Sequence, residues 1–564
     1  MLRTLLQVSR LGLLLSLASL LWACTGTKST ETPTTEPSTI AQSSTTSISQ
    51  QVTSSQPPSD GITSSELAAS SLSSAVSSNT SNDNTASSSR TPSSSQSSSS
   101  TPTTSQSTID IVINRNYFMQ SITQGDSAQL LNQQVALVAN REAILRTFVT
   151  GHDHASTNTD LNSTVTFYYK LATGRTGSFR LEGPASIPQS INEADLTQTF
   201  NAKIPANIIV PGTEYYIEVD SNNAIPESNE SNNRYPQQGY APLKVATVKP
   251  LDIVLVPVVV RDVSPNTSAD ALKKAFNFSL DILPIPSYTL DIIEPYVYDG
   301  SDWDELLQAI STLQISNGER DRYYVGLLGH PLSLDPNDST AGYGYVGFKT
   351  MVSLPYPSTI AHELGHNFGR EHAPCGRPAS PDSNYPYPDG QLGVYGFFNS
   401  ARNSGIVLKE GNEDVMSYCN PAWISDYTYE GMLSAITVKN TASAHVTGSQ
   451  KTTLTNSSSQ NAPAQKITAL IGSINNSSAT IKHVVTTPKA LTSPSTSPYS
   501  AEAYNENGEL LSRAYFTPYS PDHSDNLHFS VSLSYPKQAL ATRYIIRHNS
   551  IIIGEFDVAS SNKK

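Results

Sequence analysis

The sequence predicts a multidomain chain in which a central α/β domain is flanked by two β-sandwich domains and preceded by a disordered Ser/Thr-rich linker. Three observations predict it. The chain has 564 residues, too many for one ordinary core. Apolar and polar residues alternate before about residue 246 and after about residue 450, as in strands with one buried face. Between those stretches, continuous apolar runs are interleaved with helical spacing, as in a sheet covered by helices.

The elements follow in order. Residues 1–23 read as an export signal: Arg3 and Arg10 supply positive charge, and Leu11 to Leu21 is an apolar run too short to span a bilayer comfortably. Residues 24–107 are almost entirely Ser, Thr, Gln, Pro and Asn. They cannot bury enough apolar surface to offset their ordering entropy, so a disordered tether is expected. Residues 108–246 alternate in Ala143 to Phe148, Val165 to Leu171 and Glu214 to Val219, which suggests an immunoglobulin-like β-sandwich. Within it, Asp220 to Asn233 is rich in Asn and carboxylates. These are candidates for a structural Ca2+, but a polar hairpin tip is the preferred reading.

Residues 247–449 are the α/β part. Leu251 to Val260 reads as a strand, Ala269 to Leu280 and Trp303 to Leu313 as helices, Tyr323 to Leu328 as a strand, and Tyr343 to Leu354 as one extended, Gly-interrupted segment. Residues 450–564 open with a polar linker and then alternate again, with Asn507-Gly508 as a hairpin turn, so a second β-sandwich is expected.

The chemistry is concentrated between Ala361 and His372. His362 and His366 are four residues apart, so a helix places them one turn apart on one face, where both can reach one zinc ion. Glu363 lies beside them and can act as general base. Gly369 can take the positive φ that ends the helix, letting His372 return as a third ligand. Three protein ligands leave a fourth position open, which a catalytic zinc requires and a structural one does not.

This run resembles the metzincin clan of zinc endopeptidases, whose signature is H-E-x-x-H-x-x-G-x-x-H followed by a Met-turn. The resemblance implies a metzincin-like fold for the central domain. Met416, in Asp414 to Tyr418, would then lie beneath the zinc. Tyr418 would ligate the metal and then steady the oxyanion, its alternative role being a packed aromatic. Asn367 to Gly369 resembles the reprolysin branch, and Ala373 departs from the named branches. The wider pattern is similar to uncharacterised secreted bacterial metzincins. The strand before the zinc helix, within Gly342 to Leu354, would be the edge that pairs with the substrate backbone.

Leu21 to Cys24 resembles the lipobox of bacterial lipoproteins, which implies lipidation at Cys24 and anchoring to a membrane, with plain secretion as the alternative. That leaves Cys375 and Cys419 as a pair in an oxidising compartment. A disulfide is the simple reading, and two free buried thiols are the other.

The net charge of −13 argues against nucleic acid as a partner. Gly342 to Gly347 lacks the Lys and Ser/Thr of a phosphate loop, so nucleotide binding is not expected. The expectation is a monomeric, extracellular zinc endopeptidase on the bacterial cell envelope, acting on protein or glycoprotein. The alternative is a surface adhesin or ligand-binding protein with a structural or vestigial zinc.

Overall fold

The computed structural model describes residues 107–153, 161–399, 404–437, 464–522, 524 and 526–558. The export signal, Cys24, all but the last residue of the tether and most of the linker around residue 450 lie outside the described residues. What is described is rich in β-structure, with several sheets and four α-helices among the described residues.

The first part carries two antiparallel sheets. Ile109–Met119, Ala143–Asp153 and Phe200–Ile204 pair in one, and Val165–Lys170, Thr176–Arg180 and Glu214–Val219 in the other. Alternate residues of each turn inward, so that Val165, Phe167 and Tyr169 meet Ile111, Leu145 and Val149 in one core. That is the alternation seen in the sequence, expressed as burial.

The central sheet is built around Leu251–Val260. Tyr288–Ile292 and Tyr323–Leu328 flank it in parallel, and Thr350–Ser353 continues the parallel order. Its apolar run is continuous because both faces are covered. Ile253 and Leu255 face helices α1 (Ala269–Ile282) and α3 (Pro357–Asn367), whereas Val254, Val256 and Val258 face α2 (Trp303–Asn317). A fourth helix, α4 (Asp426–Ile436), closes the first of these cores through Tyr429, Met432 and Leu433.

Two expectations are corrected here. Tyr343 to Leu354 is not one extended segment but a hairpin, with Gly342–Gly344 as an antiparallel edge on Thr350–Ser353. The intervening turn is clamped by the end of α3: Asn367 Nδ2 donates to the carbonyls of Tyr345 and Thr350, and Gly347 N–H donates to the His366 carbonyl. Helix α2 runs past Leu313 to Asn317 and stops at Gly318 in the left-handed region, φ 72°. Its last turn carries Gln314, buried because its amide donates to the carbonyls of Arg322 and Lys349.

The last part again pairs two antiparallel sheets, one of Gln465–Asn475, Ser478–Thr486 and Leu527–Pro536, the other centred on Tyr499–Tyr504 and Arg543–His548. Leu470, Phe529 and Val531 meet Ala501, Ala503 and Ile546 between them. Asn507-Gly508 lies in the turn joining Tyr499–Tyr504 to Leu510–Phe516, where Asn505 Oδ1 accepts from the Asn507 and Glu509 N–H groups. This part leans on α2: Gln308 Nε2 lies 2.9 Å from His528 Nε2, and the Tyr345 hydroxyl lies 2.7 Å from His528 Nδ1.

The Asp220 to Asn233 carboxylates serve the hairpin itself. Asp220 accepts from the N–H groups of Ala224 and Ile225, and Glu227 accepts from Ile111 N–H and Asn233. These contacts are those of a polar hairpin tip.

The first sandwich also finishes a helix of the central part. Helix α1 has no basic residue in its last turn, and Arg141 supplies one from outside by donating to the carbonyls of Asp281 and Leu283 at 2.9 and 2.6 Å. Replacing Arg141 by alanine leaves these carbonyls unmet and is expected to cost about 2–3 kcal/mol of stability. Chemical denaturation checks this, and an unchanged midpoint would show that water replaces the arginine without loss.

Candidate metal centre

Helix α3 starts on Pro357, whose missing N–H costs nothing at a first helical position. It ends where Gly369, φ 83°, turns the chain, with Arg370 N–H reaching back to the Gly365 carbonyl. The turn brings His372 back toward His362 and His366. The three ring centroids are 4.7–5.3 Å apart, and all three side chains are buried.

The hydrogen bonds of the rings decide what this cluster can do. His362 Nδ1 lies 2.7 Å from the Val415 carbonyl, His366 Nδ1 2.7 Å from that of Arg370, and His372 Nδ1 2.8 Å from that of Ala379. A carbonyl can only accept, so each Nδ1 carries the proton. In the neutral ring each Nε2 is then a lone-pair donor turned inward. His362 Nε2 and His366 Nε2 are 3.1 Å apart, a contact of two acceptors that calls for a cation between them. Zinc–nitrogen bonds of about 2.0–2.1 Å at tetrahedral angles place ligand atoms about 3.3 Å apart, so the residues fit the ion.

Glu363, Tyr418 and Met416 complete the surroundings. The Glu363 carboxyl is buried beneath the edge strand, where Gly342 and Gly344 make room: an added Cβ would come within 2.6 Å of Oε1 and 2.9 Å of Oε2 respectively. Burial, and then the charge of Asp522, push its pKa well up. The Tyr418 hydroxyl lies 3.2 Å from His372 Nε2, with the residue 39% exposed. Burial raises its pKa, helped by the charges of Asp522 and Glu363. Met416 is fully buried against α3 at Gly365, where any side chain would run into its sulfur.

The Met416 turn is held by buried Asp414, which accepts from the N–H groups of Met416 and Ser425 at 2.8 and 2.9 Å. The turn in turn holds the cluster, since Val415 receives His362 and the Met416 carbonyl accepts from Ala373 N–H, beside His372. Cys375 and Cys419 form the disulfide, so the free-thiol alternative falls away. Beside it, Tyr418 N–H donates to the Cys375 carbonyl. A cleft of about 580 Å³ runs from the cluster past His362, Glu363, Gly342, Thr340 and Tyr418.

One member of the site was not foreseen. Asp522, from the C-terminal part, is buried beside the three histidines, with Oδ2 3.4 Å from His366 Nε2. The four side chains form a group whose ligand atoms lie within 4.8 Å of one another. The expectation of a fourth position left clear of protein is therefore corrected. No local spacing links Asp522 to the histidines, so the sequence offered no signal for it. The glycines over Glu363 were visible as part of an extended edge segment, but nothing in their spacing tied them to that carboxyl.

The comparisons with known proteins bear on this region. The family model described as Peptidase M66 matches residues 304–476. The match supports a metallopeptidase. It spans the three histidines, Glu363, Met416, Tyr418 and both cysteines, and it ends before Asp522. No curated protein matches the chain.

The disulfide ties the His372 loop to the Met416 turn, which predicts a measurable effect on the metal. The Cys375→Ser, Cys419→Ser double variant should lose zinc to a chelator about tenfold more readily than the parent. Identical chelator titrations for the two proteins would count against that coupling.

Proposed function

We propose that the chain is a zinc-dependent endopeptidase that hydrolyses protein or glycoprotein substrates outside the cell. The observation that carries this reading is the convergence of three Nε2 lone pairs, each ring fixed by a carbonyl at Nδ1, beside the carboxyl of Glu363. The M66 match to the same residues supports it.

Zinc held by His362, His366 and His372 would supply Lewis acidity toward a water molecule and the scissile carbonyl. Glu363 then removes a proton from the attacking water and hands it to the leaving amine. A phenol at the rim of the cleft, that of Tyr418, donates a hydrogen bond to the carbonyl oxygen as it gains charge. The edge strand Gly342–Gly344 offers its backbone to an extended substrate, so affinity comes from main-chain pairing and needs little side-chain preference. Met416 forms the apolar floor of the histidine cluster.

The N-terminal signal fits a lipoprotein anchored through Cys24 to the bacterial envelope, with the tether holding the described domains off the membrane; the disulfide suits such an oxidising setting. Among the described residues no helix is long and apolar enough to cross a membrane.

A second reading is favoured by one observation. Asp522 gives the cluster four protein groups, as a structural zinc has, and flanking sandwiches suit an adhesin. Glu363 separates the two. Replacement by alanine should leave zinc content at the parent level and lower proteolysis of an unfolded protein by a factor of about a thousand or more. Undiminished proteolysis would falsify the assignment of the base, and zinc binding with no turnover either in the parent or after Asp522→Ala would favour the adhesin.

A further inference from the structure

The segment that carries Asp522 meets the end of the edge strand Gly342–Gly344 in an antiparallel direction. Pro521 forms an antiparallel bridge with Tyr345, and Asp522 N–H donates to the Gly344 carbonyl at 3.0 Å. Gly344 N–H returns a bond of 2.7 Å to Asp522 Oδ1. One carboxylate oxygen is thereby tied to the strand while the other faces the histidines, 3.4 Å from His366 Nε2.

The segment is built in. Tyr519 packs on Phe348 and Tyr345, with ring centroids 4.1 and 5.0 Å away, and is bridged to His528 through both backbone groups. His528 itself lies against Gln308 of α2. The C-terminal sandwich thus presses one extended stretch into the place where an extended ligand would pair, and ends it in a carboxylate at the metal-ligating cluster. The cleft on the other side of Glu363, past Thr340 and Ser358, is left open.

We propose that Tyr519 to Asp522 is an intramolecular inhibitor. It occupies the Gly344–Tyr345 end of the substrate strand's path and supplies Asp522 as a displaceable fourth ligand, so that the chain is latent until the segment leaves. This rests on the peptidase reading above. A ligand tethered within the same chain acts at an effective concentration of about millimolar, so an extended substrate competes only poorly while the sandwich stays docked. A structural fourth ligand would have no need to pair with the edge strand. A substrate mimic would.

The full chain, loaded with zinc, tests this through Asp522→Asn, which keeps an oxygen for the Gly344 N–H while weakening the ligand, and through Asp522→Ala. A tripeptide hydroxamate, which needs both the edge strand and the metal, is the probe. Both variants should bind it about tenfold or more tighter than the parent by calorimetry, and cleave β-casein faster by a similar factor. They should also yield zinc to a chelator sooner. Equal hydroxamate affinity in all three proteins overturns the inhibitor, and β-casein cleavage by the parent would then leave the peptidase reading intact. Loss of zinc from Asp522→Asn, with no hydroxamate bound, also overturns it and makes Asp522 a structural ligand. Tighter hydroxamate binding without cleavage by any of the three upholds the displaceable segment and removes the peptidase reading instead.

Discussion

Everything at the centre of this molecule depends on aiming three imidazole nitrogens at one point. An imidazole left to itself chooses its tautomer and its rotation. Here each is denied that choice by a carbonyl that accepts its Nδ1–H. The three carbonyls come from different places: the Met416 turn, Arg370 just past the Gly369 turn that ends α3, and the loop beyond His372. Each must be held, and the surrounding structure shows how. Asp414 fixes the turn, and the disulfide joins turn to loop. The loop is braced where Asp382 accepts from Arg370 and from the Tyr427 hydroxyl, and donates its own N–H to the His372 carbonyl.

The second constraint is steric. The Glu363 carboxyl must sit close to the three histidines yet directly under a strand. Glycine at 342 and at 344 lets the strand pass directly over Glu363. Glycine at 365 lets Met416 rise against α3 from below. The helix is therefore squeezed between a bare strand and a methionine floor, and its histidines have little freedom to tilt. A side chain added on either side moves the helix relative to the carbonyls that orient the rings.

Much of this was legible in the chain itself, for definite reasons. His362, Glu363 and His366 declare a helix face because helical spacing converts sequence distance into direction, and Gly369 marks its end. Val165 to Tyr169 alternate because only one face of their sheet meets a core, while Leu251 to Val260 do not because helices cover both. What stayed hidden is non-local. The hairpin break near Gly347 is set by Asn367, which lies on another element. The last turn of α2 depends on Gln314, a polar residue buried where the carbonyls just ahead of two neighbouring strands accept from it. Arg141 caps α1 from more than a hundred residues earlier in the chain, and Asp522 reaches the histidines from the far end of it. None of these has a period, and periodicity is all that local reading can see.

The place of Asp522 also says something about what kind of site this is. Two buried carboxyls, those of Glu363 and Asp522, are held near the same three histidines, and the charge of Asp522 adds to burial in disfavouring ionisation of Glu363. A site selected only to hold an ion gains nothing from the second one, since three imidazoles and one carboxylate already fill a tetrahedron. Yet the chain clears space for Glu363 with two glycines, and brings Asp522 in against one of them, Gly344, whose N–H and carbonyl it meets with its side chain and its own N–H. The two carboxyls therefore have separate tasks. Glu363 belongs to the helix that carries His362 and His366, whereas Asp522 comes from the C-terminal sheets and is, on the proposal above, the one of the two that can be withdrawn.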